Sequence, residues 1–133
     1  MHSSVEISIL IHATENENNV LNSIFKFMDF TRESTQVKSI KTEGHWKNPI
    51  IRLIISVNDG VDRIFEKLYA LLVEAYGENY ANDYINTNTD GKGYIYVRLD
   101  KQKICKGNVM LSDRDAIRMV FKKLGKFKSR SKT

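Results

Sequence analysis

The chain has 133 residues, of which 41% are hydrophobic and 28% are charged, with one proline, one cysteine and a net charge of +5. This length fits one domain, a single cysteine excludes an intramolecular disulfide scaffold, and no apolar stretch approaches the ~20 residues of a membrane span. Because Glu6 interrupts the region where a signal peptide would have its apolar core, we expect a soluble, cytoplasmic protein that does not enter a membrane.

The first two predicted elements are a strand and a helix. Residues 5–12 predict a half-buried strand, since every second position is apolar: Val5, Ile7, Ile9 and Ile11. Thr14 and Glu17 then match a capping box, in which the threonine accepts a backbone N–H and the glutamate reaches back. Apolar residues at helical spacing follow, so we predict a helix over residues 15–28.

Two further strands are predicted next. Residues 34–43 predict a weaker strand, and Val37 and Ile40 are out of step for strict alternation. We therefore expect a bulge in this strand or a position at the sheet edge. After a turn at residues 44–49, the alternation in residues 50–57 predicts a strand whose odd-numbered residues face the core.

A second helix is predicted after the third strand, with residues 58–59 as its cap and Gly77 as its end. Residues 78–92 are rich in Asn, Tyr and Thr, and their last four residues favour a turn. We predict a long polar loop there. Residues 94–99 alternate again and predict a strand, with tyrosine and arginine on one face and apolar residues on the other.

The chain closes with a predicted short helix over residues 100–106 and a strand over residues 116–122, although the latter also contains helix formers. The order β-α-β-β-α-β-(α)-β predicts an α+β fold. In it, two main helices cover one face of a mainly antiparallel sheet, as a two-layer sandwich. We expect one domain over residues 1–122 and a basic tail over residues 123–133.

The positive charge is concentrated at the C-terminus. Residues 116–133 hold seven basic and no acidic residues, whereas residues 1–115 hold fourteen basic and sixteen acidic residues, a net charge of −2. A basic tail of this kind favours nucleic acid as a partner. An anionic membrane surface is less favoured, because the tail has too few apolar residues for an anchor. A purely solubilising tail is the other alternative.

The sheet face left open by the helices is predicted to interleave tyrosines with basic residues. Bases of single-stranded RNA stack on aromatic rings while guanidinium and ammonium groups hold phosphates. The predicted RNA contacts are Arg52, Tyr94, Tyr96, Arg98, Lys101, Arg118, Lys122 and Lys123. Two alternatives stay open, namely ordinary cross-strand pairs and a protein interface that buries this face, in a homodimer or an adaptor.

No pattern of metal-binding or catalytic residues is recognisable in the sequence. His2, His12 and His45 lack metal-ligand spacing, and no glycine loop for phosphate is present. Asp113 and Asp115 favour a solvated turn over a pair of catalytic carboxylates. We therefore expect no metal, no cofactor and no catalysis.

Four segments together resemble an archaeal family of predicted exosome-associated, RNA-binding subunits. They are His-Ala-Thr-Glu at residues 12–15, Gly-His-Trp-Lys-Asn-Pro-Ile at 44–50, Leu-Asp-Lys-Gln at 99–102 and Asp-Ala-Ile-Arg at 115–118. The resemblance spans about residues 4–122 and implies a fold similar to ribosomal protein L5. The chain departs from the family pattern at Ala116, where a proline is expected, and in its basic tail.

The resemblance also implies a role in RNA binding or RNA processing, in association with an exosome-type complex. Carried over by position, it implies a polar cluster of His45, Asn48, Asp100, Lys101 and Gln102. The structural alternative is that Asn48 forms a turn with the following proline and that Asp100 caps the short helix.

Overall fold

Five strands and four helices make up the computed structural model, which describes residues 2–28, 35–43, 49–114 and 116–123. In chain order they are β1 (Ser4–His12), α1 (Glu17–Met28), β2 (Thr35–Glu43), β3 (Pro49–Val57), α2 (Val61–Tyr76), α3 (Glu78–Thr87), β4 (Ile95–Asp100), α4 (Lys101–Cys105) and β5 (Ala116–Lys122). The predicted α+β class is confirmed, and the ambiguous last segment is a strand. No helix in the described ranges is long and apolar enough to cross a membrane.

The strands form one antiparallel sheet in the order β2-β3-β1-β5-β4. Val5 of the central strand β1 lies opposite Val57 on one side and Phe121 on the other. Residues that face each other across an antiparallel pair share a sheet face, so the odd-numbered positions of β1, β3, β4 and β5 form one apolar layer. These side chains pack with those of α1 and α2 in a single core, which confirms the predicted sandwich.

One edge strand of the sheet, β2, is exposed, whereas the backbone of the other, β4, is hydrogen-bonded to neighbouring segments. Among the described strands, β2 pairs with β3 alone, in an unbroken register from Thr35 to Glu43, and residues 36–43 are exposed. The predicted edge position is therefore confirmed, and the strand has no bulge. On the opposite edge, the N–H groups of β4 are occupied. The N–H of Tyr96 donates to Asn88 O, and that of Arg98 donates to the Tyr84 hydroxyl at 3.2 Å.

The predicted loop over residues 78–92 is wrong, because most of it is helix α3. Gly77, with φ 92°, ends α2 and allows the next helix to begin at once. Ala81 is buried, and Tyr84 and Ile85 pack against the core from the same helix face. These contacts at helical spacing outweigh the Asn-rich composition that favoured a loop. The predicted turn does follow α3, where Asp90 O accepts the N–H of Gly93.

Both predicted N-caps of the main helices are wrong. The side chain of Asn16, not Thr14, caps α1 by accepting the N–H of Asn19 at 3.0 Å. Helix α2 starts from Gly60 in the left-handed conformation, with no side-chain cap, rather than from residues 58–59. The cap of α1 lies two residues later than predicted, because a turn closed by the Glu15 N–H donating to His12 O at 2.9 Å precedes the helix.

Candidate nucleic-acid interface

The open face of the sheet gathers basic side chains from four strands, β2 to β5. Along one row, the register places Lys38, Ile54, Ser8, Arg118 and Arg98 side by side across all five strands. Arg98 and Arg118 are direct cross-strand partners, an arrangement that costs stability unless an anion lies between the like charges. The sheet therefore concentrates positive charge that is spread over eighty residues of sequence.

A cavity of about 220 Å³ lies on this open face. Its lining residues are Ser8, Ile9, Leu10, Arg52, Arg98, Asp113, Ala116 and Arg118. Within the part of the chain that the structure describes, none of the three guanidinium groups forms an ion pair or a side-chain hydrogen bond. Three of the predicted RNA contacts are thus brought together. In the described part of the chain, their guanidinium N–H groups donate to no protein acceptor. Such a site suits an anionic ligand, because the guanidinium fork matches phosphate.

Tyr96 is held in place beside this cavity. Its hydroxyl donates to Asp90 Oδ2 at 2.9 Å, and this hydrogen bond raises the pKa of Tyr96. Asp90 also accepts the N–H groups of Lys92 and Tyr94. Both predicted stacking residues are therefore tied to one turn, with Tyr96 on β4 and the half-buried Tyr94 immediately before it. A ring fixed in this way loses little conformational entropy on stacking.

Lys101 is not part of the interface, and the predicted phosphate contact of its side chain is wrong. The side chain is only 1% exposed, and Nζ lies 2.7 Å from Glu15 Oε1 and 2.8 Å from Leu10 O. A buried ammonium group that is already hydrogen-bonded cannot reach a phosphate in solvent. The bond joins residues 12–15 to residues 99–102, so two of the segments that carry the family resemblance meet in a structural contact.

The remaining predicted site residues are dispersed. Asp100 caps α4 by accepting the N–H of Lys103 at 2.9 Å, as its structural alternative predicted, and Gln102 is exposed on that helix. Lys122 Nζ lies 3.4 Å from Glu6 Oε2. Lys123 lies against Gly93, where an added Cβ would be 3.0 Å from its Cδ. His45 and Asn48 lie outside the described residues.

Sequence reasoning missed Lys38 and did not place Asp113 at the site. Lys38 lies in the same row as Arg98 and Arg118 because β2 pairs with β3 in a register that places Lys38 opposite Ile54. This register cannot be read from a single sequence. Asp113 reaches the cavity because the Ser112 N–H donates to Arg98 O at 3.1 Å. The position of Leu10 on the open face could have been predicted, because Leu10 alternates with the buried residues of β1.

Residues 4–123 match a protein-family model described as RNA binding. The chain is 27% identical over 114 residues to an RNA-binding protein from Pyrococcus abyssi, which covers 83% of this chain and 73% of that protein. It is 32% identical over 128 residues to an uncharacterized protein from Methanocaldococcus jannaschii, which covers 91% of this chain and 84% of that protein.

Solved structures of similar proteins share the fold. A DUF54 protein from Methanothermobacter thermautotrophicus superposes with a TM-score of 0.73 at 22% identity, over 92% of this chain and 85% of that one. A protein from Sulfolobus solfataricus gives a TM-score of 0.69 at 22% identity, over 90% of this chain and 86% of that one. At these identities the likeness extends to the architecture alone.

Proposed function

The chain belongs to the family whose model is described as RNA binding, and on this premise we propose that its open sheet face binds single-stranded RNA. The observation that carries the proposal is the cavity lined by Arg52, Arg98 and Arg118. The protein is proposed to be an accessory factor without catalysis of its own. Its association with an exosome-type complex in the cytoplasm, and kinship with ribosomal protein L5, are part of the proposal and are supported by the sequence resemblance.

Local placement of charge makes the open face attractive to RNA. The domain over residues 1–122 holds sixteen basic and sixteen acidic residues, so with a net charge of zero the body as a whole does not attract a polyanion. The three arginines around one cavity create a local positive potential where their guanidinium groups can bind phosphates. Tyr96, fixed by Asp90, offers a ring for stacking by any base.

Binding to single-stranded RNA is expected to weaken steeply as salt is added. Each phosphate contact on a single strand contributes a log–log slope of about −0.7, so three arginine contacts predict a slope of about −2 from the sheet face. Labelled RNA is titrated with the full chain at several salt concentrations, and anisotropy reports binding. No binding at low salt, or binding that ignores salt, would overturn the proposal.

A chain truncated after residue 123 provides the matched comparison in the same titration. It lacks four basic residues of the tail but keeps all of β5. We therefore expect RNA binding to persist, with a shallower dependence of log affinity on log salt concentration. Complete loss of binding would show that the RNA binds to the tail and not to the sheet face. The RNA recovered from both mixtures is expected to run at full length on a gel, and shorter products would contradict a role without catalysis.

A protein interface is a second candidate function, favoured by exposed apolar side chains on the same face. Leu10 and Ile40 are 42% and 36% exposed and flank Arg52 in one row of the sheet. Apolar groups gathered on a surface mark contact sites for partners. A homodimer or an adaptor that buries this face would cover both side chains.

The dimer alternative predicts a mass that rises with protein concentration in sedimentation experiments. Replacing Leu10 and Ile40 with serine is then expected to give monomers, because the apolar area buried between subunits is lost. Val37→Ser is the matched control, since Val37 is 40% exposed on the opposite face of the same strand. A mass of 15.4 kDa at every concentration would exclude this homodimer.

A further inference from the structure

We propose that the open-face cavity recognises a guanine base of single-stranded RNA, with Asp113 and an arginine as the groups that read it. The inference rests on the proposed function and adds a base preference to it. Its starting point is a carboxylate among the lining residues of a cavity that otherwise carries three positive charges. A site for phosphate alone would gain nothing from Asp113, because the carboxylate would repel the ligand.

The position of Asp113 is set by the backbone on both sides. On one side, the Ser112 N–H donates to Arg98 O at 3.1 Å, which fixes the segment to the edge of β4. On the other, Ser112 Oγ accepts the N–H of Arg114 at 3.1 Å and donates to Arg114 O at 2.8 Å. Asp113 therefore sits at the tip of a tight turn, at the edge of the arginine cavity.

The charged groups of the cavity do not neutralise one another. Among the described residues, no ion pair or side-chain hydrogen bond joins Asp113 to Arg52, Arg98 or Arg118, although all four line a cavity of about 220 Å³. A ligand that satisfies them all must present hydrogen-bond donors at one edge and acceptors at another. A planar base, unstacked from a single strand, has this form.

Guanine is the base whose edges match these groups. Its Watson–Crick edge presents two adjacent donors, N1–H and the N2 amino group, which together suit a carboxylate. Its other edge presents the O6 and N7 acceptors, which suit the fork of an arginine. Adenine and cytosine each place an acceptor beside their amino group, and uracil has a single ring donor between two carbonyls. Leu10, which is 42% exposed, offers an apolar surface to the ring.

The test compares oligonucleotides that differ at one base. A labelled uridine-rich octamer with one central guanine is titrated against the same octamer carrying inosine, which lacks the N2 amino group, or adenine. The full chain is expected to bind the guanine octamer about tenfold more tightly than the adenine octamer, with inosine between them. Because inosine changes only the RNA, this comparison is independent of protein folding.

The Asp113→Asn variant is expected to bind the guanine and inosine octamers equally. The carboxylate can accept hydrogen bonds from both N1–H and the N2 amino group, whereas the amide replaces one of its two acceptor oxygens with an NH₂ donor. Asp83→Asn, at an exposed position on α3, is the matched control and should keep the preference. Salt-dependent binding of equal strength to all three octamers, or a guanine preference that survives Asp113→Asn, overturns the inference and leaves the proposed function standing. No binding to any octamer overturns both.

Discussion

Replacing Arg52, Arg98 and Arg118 together with alanine is expected to weaken binding to single-stranded RNA by about a hundredfold or more. A hydrogen bond to a charged group is worth about 1.5–3 kcal/mol, and about 1.4 kcal/mol corresponds to a tenfold change in affinity. Even with incomplete additivity, three such groups around one cavity give a loss of this size. The log–log salt slope is expected to become shallower by about 2.

Anisotropy titrations of the triple variant and the unaltered chain measure this effect. The matched control removes the same charge from the helix layer, by alanine at Lys26, Arg63 and Lys67. If both variants lose affinity equally, net charge rather than the open face governs binding. The stability of the arginine variant should not fall, because these side chains have no partner within the described ranges and two of them are like charges placed opposite each other.

Replacing Lys101 with alanine is expected to lower the free energy of unfolding by about 3–5 kcal/mol. The ammonium group is buried and bonded to both Glu15 and Leu10 O. Its removal leaves the Glu15 carboxylate, whose side chain is 17% exposed, without its cation, and opens a gap where the lysine stem packed. Since small domains are stable by only about 5–15 kcal/mol, the loss is a large share of the total.

Urea denaturation followed by circular dichroism measures this loss. Lys103→Ala is the matched control, because Lys103 is an exposed lysine of the same short helix, and its replacement should cost less than about 0.5 kcal/mol. The pair Lys101→Met with Glu15→Gln is expected to recover part of the stability, since neither charge is then left buried alone. Equal effects of the two alanine variants would show that the Lys101 contact adds nothing to stability.

The sheet and its open face followed from alternation alone. In residues 50–57 and 116–122, every odd-numbered position is apolar while the polar residues all lie at even positions, and this placed Arg52 and Arg118 together on the face away from the core. Arg98 came with them for the same reason. Period-two patterns are local, so a single sequence is sufficient to read them.

The failures at the candidate site have in common that distant residues decide the outcome. A lysine is almost never fully buried without a partner, and the partner of Lys101 is 86 positions away. The contribution of Lys38 to the positive charge of the open face depends on the pairing of β2 with β3. That of Asp113 depends on a backbone contact to β4. None of these contacts leaves a local pattern, so composition and spacing did not reveal them.

The sheet order has a consequence for when the protein can fold. Strand β1 is the first to be synthesised, yet it lies at the centre of the sheet, and Val5 pairs across to Phe121 near the other end of the domain. Strand β4 has β5 as its only partner strand within the described sheet. On the ribosome, β1 can pair with β3 as soon as residues 49–57 have been made, but its second side and the whole of β4 must wait for residues 116–122. Long-range pairings of this kind slow folding. The arginine cavity, whose lining comes from β1, β3, β4, β5 and the turn at Asp113, is completed only after β5 has been made.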